Sequence, residues 1–219
     1  MIMLSLTEEN YLKTIYHLSE GGAKSVLTNE LADAMNNKAA SATDMIKKLA
    51  GKEFITYEKY YGVNVTSKGK TAALLVIRKH RLWETFLVQK LGFHWDEVHD
   101  VAEQLEHIHS NHLIDKLDEF LGFPKIDPHG DVIPDNKGRI KVQPQVALDQ
   151  LKSGHHGIIK AVRDSDSHLL QYLDKIGAHP GIKIKVLGKE AYDESMEVLI
   201  LDKRVFVSKE VSKNILIAV

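Results

Sequence analysis

Four residues in the stretch HDVAEQLEHIHS, positions 99–110, are of the types that hold a divalent metal: His99, Glu103, Glu106 and His107. Read as a helix at 100° per residue, they fall within an arc of roughly 100°. Val101, Ala102, Leu105 and Ile108 take the neighbouring arc, the one expected to be buried. Glu103 and Glu106 are i,i+3 neighbours, and like charges at that spacing repel. From Leu91 to Asp115 the chain carries six acids and five histidines and not one Lys or Arg. A divalent cation removes the repulsion, and two carboxylates with an imidazole are good ligands for first-row metals. Upstream, His80 and Glu84 form an i,i+4 pair that His99 could complete into a second site. The plain alternative is a set of solvated polar side chains. The two groups in adjacent helices, taken as a set, favour metal.

The elements that must position these residues begin with a basic block. From Lys38 to Arg81 there are ten basic residues against three acids, although the 219-residue chain nets only −1. A basic stretch followed by an acidic, His-rich one implies two ligands, one polyanionic and one cationic. SLTEENYLKTIYHLSEGG reads as a helix with a capping box from Ser5 to Glu8 and a stop at Gly21-Gly22. TNELADAM gives a second helix with Thr28 as N-cap. NNKAASATDMIKKLAGKEFI gives a turn and a third helix, stopped at Gly51. ITYEKYYGVNV reads as a hairpin. That order is a winged helix-turn-helix, whose third helix enters the DNA major groove. Lys38, Ala39, Ser41 and Thr43 stand where base edges are read; Lys47, Lys48 and Lys59 are placed for phosphates.

Residues 67–91 keep a helical period and suit a spine leading into a dimer interface. Pro124, Pro128, Pro134 and Pro144 mark an extended connector. Beyond it, GIIKAV, IKIKVL, MEVLIL, VFVSK and ILIAV read as short strands interrupted by one helix, SHLLQYLDKIG, and imply a small barrel. The fold class is a mainly α N-terminal part with a small β-rich C-terminal barrel. Its expected domains are a winged helix at 1–72, a helical metal-binding and dimerisation domain at 73–142, and a β domain at 150–219. There is no cysteine, no apolar run of membrane-spanning length and no signal-peptide pattern, so a cytoplasmic protein is expected.

NYLKTIY, VTSKGKTA, RKHRLWETFL and VHDVAEQLEHIHS together resemble the diphtheria-toxin-repressor family of metal-dependent repressors. The likeness runs from residue 4 to about residue 140. The strand-rich remainder, with HPGIKIKV, is similar to the SH3-like (FeoA-like) domain of longer members. The resemblance implies a homodimer that binds palindromic operator DNA when Mn²⁺ or Fe²⁺ is bound and silences metal-uptake genes. It implies a primary site of Glu103, Glu106 and His107 with a first-helix ligand. That position holds Asn10 here, where the family has Asp or Met. An amide oxygen coordinates more weakly than a carboxylate, and water or a backbone carbonyl are the alternatives.

The resemblance implies a second site at His80, Glu84 and His99. Some manganese-responsive relatives pair Glu84 with a Cys-Pro-His loop. The loop here is DPHG, which brings in Asp127 and His129. From the C-terminal domain Asp164, Asp166 or His168 are candidates, with Asp166 chosen. Iron-responsive members carry Cys at the position of Glu103 and manganese-responsive ones Glu, a harder ligand better suited to Mn²⁺. The reading is the manganese-responsive branch, with iron open. Its expected mechanism has Glu103 and Glu106 repelling, and the first helix untied, until metal clamps that helix near Asn10.

Two rival functions are a divalent-metal hydrolase and a winged-helix sensor of a small organic ligand. The first lacks support, since the chain has no HExxH and no nucleophile motif. The second differs in being indifferent to chelator.

Overall fold

A computed structural model describes residues 4–141 and 144–218. Val142, the last residue of the expected helical domain, and Val219, the last of the expected ILIAV strand, lie outside the described residues, as do Met1 to Met3. The chain forms two compact units. The first is Met1–His80 with Leu105–Asp115 and Pro134–Ile140; the second is Arg81–Gln104 with Lys116–Ile133 and Lys141–Val219.

The first unit opens with α1 (Leu6–Leu18), started by the expected capping box. Ser5 Oγ accepts from Glu8 N at 3.3 Å, and Glu8 Oε2 accepts from Ser5 N at 2.7 Å. Glu8 then turns inward, where Lys52 Nζ meets its Oε1 at 2.6 Å and Lys48 Nζ at 3.3 Å. Those two lysines hold the Glu8 carboxyl down to about 2, although burial alone would raise it.

The Tyr11, Leu12 and Ile15 face of α1 packs in one core with Leu31 of α2 (Thr28–Ala34) and with Ile46 and Leu49 of α3 (Ala39–Gly51). Each such aliphatic side chain contributes about 1.5–3 kcal/mol on burial. Two helix ends differ from the sequence reading. The cap of α2 is Leu27, not Thr28, and the Glu30 carboxylate accepts its N–H at 2.9 Å. Gly51 stays inside α3, and the reversal falls to Glu53 at φ 66°.

The wing is β1 (Ile55–Glu58) paired antiparallel with β2 (Gly62–Val65). Val26 joins its edge through two hydrogen bonds with Val63, at 2.8 and 2.9 Å. Gly62, at φ 97°, has no room for a side chain against the Val26 carbonyl. The tip presents Tyr60 and Tyr61 to solvent. Then α4 (Ser67–Leu91) runs over the span expected from its apolar period.

The second unit holds the end of α4, α5 (His99–Leu105) up to Gln104 and a six-stranded antiparallel sheet. A further helix, α6 (Asn111–Phe120), follows α5. The strands are β3 (Gln145–Ala147), β4 (His156–Val162), β5 (Lys183–Lys189), β6 (Met196–Ile200), β7 (Lys203–Val207) and β8 (Ile215–Ala218), in the order β3-β8-β4-β5-β6-β7. Inward residues alternate along them: Ile184 and Val186, Met196 and Val198, Ile215 and Ile217. Leu170 and Leu173 of α7 (Ser167–Ile176) cover that face. The expected barrel does not close. β3 and β7 end the order and pair with one neighbour each among the described residues. Sequence reading also missed β3 and α8 (Lys209–Asn214), both too short to show a period. No helix of the described residues is long and apolar enough to cross a membrane.

Gly69, in the first turn of α4, lies so close to the Phe54 carbonyl that a Cβ would collide with backbone. Gly69→Ala is expected to destabilise the chain by about 1–3 kcal/mol, read as a lower urea midpoint in circular dichroism with the slope unchanged.

Candidate metal centre

α5 ends at Leu105, so the arc drawn on one continuous helix breaks after Glu103. Glu106 and His107 lie in the turn that follows, where Ile108 N donates to Leu105 O at 3.2 Å. Ala102 is buried as expected, but past the end of α5 the burial order of the helical wheel is reversed. Glu106 has no exposure, whereas Leu105 and Ile108 are half-buried.

Within the first unit, Glu106 has both oxygens engaged. Oε1 accepts from Lys13 Nζ at 2.6 Å and Oε2 from His80 Nδ1 at 2.7 Å. Burial pushes its carboxyl up, but the His80 hydrogen bond and the Lys13 charge win and hold it below the usual carboxylate range. His107 Nδ1 donates to Glu9 Oε2 at 2.6 Å, and its Nε2 stands 3.7 Å from Glu106 Oε1. Lys79 Nζ lies 3.4 Å from the other Glu9 oxygen.

A carboxylate only accepts, so Nδ1 carries the proton in both imidazoles and Nε2 keeps a lone pair in the neutral ring. That is how carboxylates orient metal-ligating histidines. The cations missing from the acidic stretch thus arrive from α1 and α4. Lys13–Glu106 and Glu9–His107 join α1 to the 106–107 turn.

Asn10 sits on α1 between the residues that make those two contacts. Its Oδ1 is buried and has no hydrogen-bond partner, which costs about 1–3 kcal/mol. An orphaned amide oxygen on α1, two oriented imidazoles and a buried carboxylate are donor types that suit a divalent ion of hard character.

The second unit contains the other donors. Glu84 Oε1 lies 3.7 Å from His99 Nδ1, and His99 Nε2 lies 3.9 Å from Glu103 Oε1. Glu84 Oε2 lies 3.5 Å from His129 Nδ1. Glu84, Asp127 and His129 are all buried, with one ligand atom from each within 4.8 Å of the others. His129 Nε2 donates to the Trp95 carbonyl at 2.9 Å, which aims Nδ1 at Glu84. Asp127 Oδ1 accepts from the backbone of His129 and Asp131, at 2.8 and 3.0 Å, and Arg81 Nε reaches Oδ2 at 3.5 Å. Burial, then the charges of Glu84 and Asp131, push the Asp127 carboxyl up to about 7. Burial pulls the His129 imidazole down, but its contact with Glu84 outweighs this and takes it up to about 9.

Other expected residues sit apart from these clusters. Asp166 is exposed and caps α7, accepting from His168 N and Leu169 N at 3.0 and 3.1 Å. Asp164 in turn accepts from Asp166 N at 3.0 Å. Among the described residues, neither these two nor His168 joins a cluster of metal-ligating side chains. On α3 and the wing, Lys38, Ala39, Ser41, Lys47 and Lys59 are exposed. Thr43 donates its hydroxyl to Ala39 O at 2.8 Å, and Lys48 is drawn toward Glu8. Sequence reasoning missed Glu9, Lys13, Lys79 and Arg81. The one available signal was the i,i+4 spacing of Glu9 and Lys13 around Asn10.

Three family descriptions match the chain. Residues 3–63 match the N-terminal DNA-binding domain of iron-dependent repressors, and residues 66–135 their metal-binding and dimerisation domain. Residues 146–219 match the FeoA domain. A helix-turn-helix transcriptional regulator of Oceanobacillus iheyensis, MntR, is 33% identical over 121 residues, which are 54% of this chain and 80% of the relative. The diphtheria toxin repressor of Corynebacterium jeikeium is 31% identical over 128 residues, 58% of this chain; the match spans 53% of that relative's length. Among solved structures, a manganese-dependent transcriptional repressor in complex with manganese superposes with a TM-score of 0.89 at 34% identity. That match covers 96% of this chain and 99% of the other.

Two outcomes follow from this geometry. Glu9→Gln weakens the hold on the His107 tautomer and is expected to lower Mn²⁺ affinity about 10–100-fold in calorimetric titration. The second concerns pH. Folded Asp127 keeps its proton up to about 7, whereas the unfolded carboxyl loses it near 3.8. Folded His129 keeps its proton up to about 9, whereas the unfolded imidazole loses it near 6.5. In both windows the folded state binds more protons, so stability falls as pH rises. Urea midpoints measured in chelator are expected to decline from pH 5 to pH 9, and Asp127→Asn to flatten the lower half of that decline.

Proposed function

The chain belongs to the iron-dependent repressor family, and from that premise we propose that it is a manganese-responsive transcriptional repressor. It acts as a cytoplasmic homodimer on palindromic operator DNA and controls metal-uptake genes. The observation that carries the choice of metal is the donor chemistry. The ligands available are carboxylates, imidazoles and the orphaned Asn10 oxygen, in a chain with no cysteine. Oxygen and nitrogen donors without sulfur suit Mn²⁺ and also hold Fe²⁺. The manganese-dependent repressors among the similar solved structures support the same choice.

We assign Asn10, Glu103, Glu106 and His107 to the primary site, and His80, Glu84, His99, Asp127 and His129 to a second. Asp166, engaged as a helix cap, is not retained. A bound divalent cation supplies positive charge that offsets the clustered carboxylates. The protein does the rest. Glu9 and His80 sit behind the first site, Glu9 setting the His107 tautomer and His80 holding a Glu106 oxygen. α1 is drawn toward the 106–107 turn. The opposite face of α1 packs on Ile46 and Leu49 of α3, so fixing α1 fixes the helix that carries Lys38, Ala39 and Ser41. In a dimer, two such helices must reach successive major grooves about 34 Å apart. A preference of roughly 1–3 kcal/mol for the DNA-competent state gives a response of about 5–150-fold.

The relatives described above are regulators, which sets the hydrolase reading aside. A gel shift with an operator-like palindrome across a panel of divalent ions tests the rest. Retention of the DNA is expected with Mn²⁺ and release with chelator. Glu103→Ala is expected to remain folded and dimeric and to lose the metal response. Binding that ignores chelator would point instead to a sensor of some other ligand.

A further inference from the structure

Lys13 has a place in the first cluster that the metal-repressor reading does not use. Its ammonium lies 2.6 Å from Glu106 Oε1, the same oxygen that faces His107 Nε2 at 3.7 Å. The two side chains are 12% and 0% exposed, so this is an ion pair largely out of water. Resting on the reading above, we propose that Lys13 is an internal competitor for the metal. Its ammonium occupies the carboxylate oxygen a divalent cation needs, and it must withdraw before Glu106 and His107 can share one.

The physical grounds are local. Glu106 is fully buried and cannot be left without a positive or hydrogen-bonding partner on Oε1. An ammonium and a divalent ion cannot both sit against one oxygen without strong repulsion. The lysine stem is long and flexible and the side chain keeps 12% exposure, so the head group can swing toward solvent while its carbons stay packed. Ion binding therefore exchanges one cation for another. The Lys13–Glu106 pair sets how much free metal that exchange requires. On this account Lys13 tunes the threshold and is not a ligand.

The test compares a His129→Gln parent, in which the second cluster is weakened, with the same parent carrying Lys13→Met, by calorimetric titration with Mn²⁺. Lys13→Met is expected to bind at least about tenfold more tightly. In chelator its thermal midpoint is expected to fall below that of the parent, because Glu106 has lost its pair; in saturating Mn²⁺ the order reverses. Lys13→Gln serves if the Met variant does not fold, and Lys13→Arg, which keeps the charge, is expected to retain the parent's weak binding. Equal or weaker Mn²⁺ affinity in the neutral variants overturns the proposal and leaves the repressor reading standing. Failure of parent and variants alike to bind any divalent ion overturns both.

Discussion

A carboxylate shut away from water must have both oxygens answered, and that constraint falls on Glu106, which has no exposure. Lys13 answers from α1 and His80 from α4, at 2.6 and 2.7 Å. Both partners lie far from Glu106 in sequence, so a local electrostatic demand dictates a long-range arrangement. The 106–107 turn has to dock against α1, and α1 against the remainder of the winged helix. Removing Lys13 takes away a fixed positive charge and removing His80 takes away the hydrogen bond on Oε2, each a costly defect for a buried carboxylate. The same demand makes the site receptive to a metal ion, which can answer the same oxygens.

The two donor clusters meet an excess of acid differently. In the first, ammonium groups from Lys13 and Lys79 approach Glu106 and Glu9 directly. In the second, Glu84 and Asp127 share a buried pocket whose cations are Arg81, on the far oxygen of Asp127, and the His129 imidazole. Burial there outweighs the cations and leaves Asp127 titrating near neutrality. One cluster is compensated by fixed charge and the other by mobile protons. Loading the two with the same ion would therefore release different numbers of protons.

Much of the helical framework was legible because it rests on neighbours a few residues apart. The Ser5–Glu8 capping box, the span of α4 and the hairpin of the wing all follow from local spacing. The donor residues were legible too, since Glu103, Glu106 and His107 stand out in a stretch without cations. Their arrangement was not. A helical wheel assumes that the helix continues, and α5 stops at Leu105 because the turn is held by contacts to α1 that no local pattern records. Lys13 reads as an ordinary surface lysine until the fold brings it across 93 residues to Glu106. The open sheet was misjudged for a related reason: strands announce themselves singly, but closure depends on which edges meet.

β8 is the last strand in chain order, yet it lies between β3 and β4 and hydrogen-bonds to both. During synthesis, β3 through β7 leave the ribosome with the slot for β8 empty and the apolar face around Ile159 uncovered. Domains form as they emerge, at about 5–20 residues per second. The winged helix can therefore mature early, while the sheet waits for β8 to complete its middle. A nascent chain stalled just short of Ile215 would carry a finished DNA-reading head and a raw, adhesive β surface.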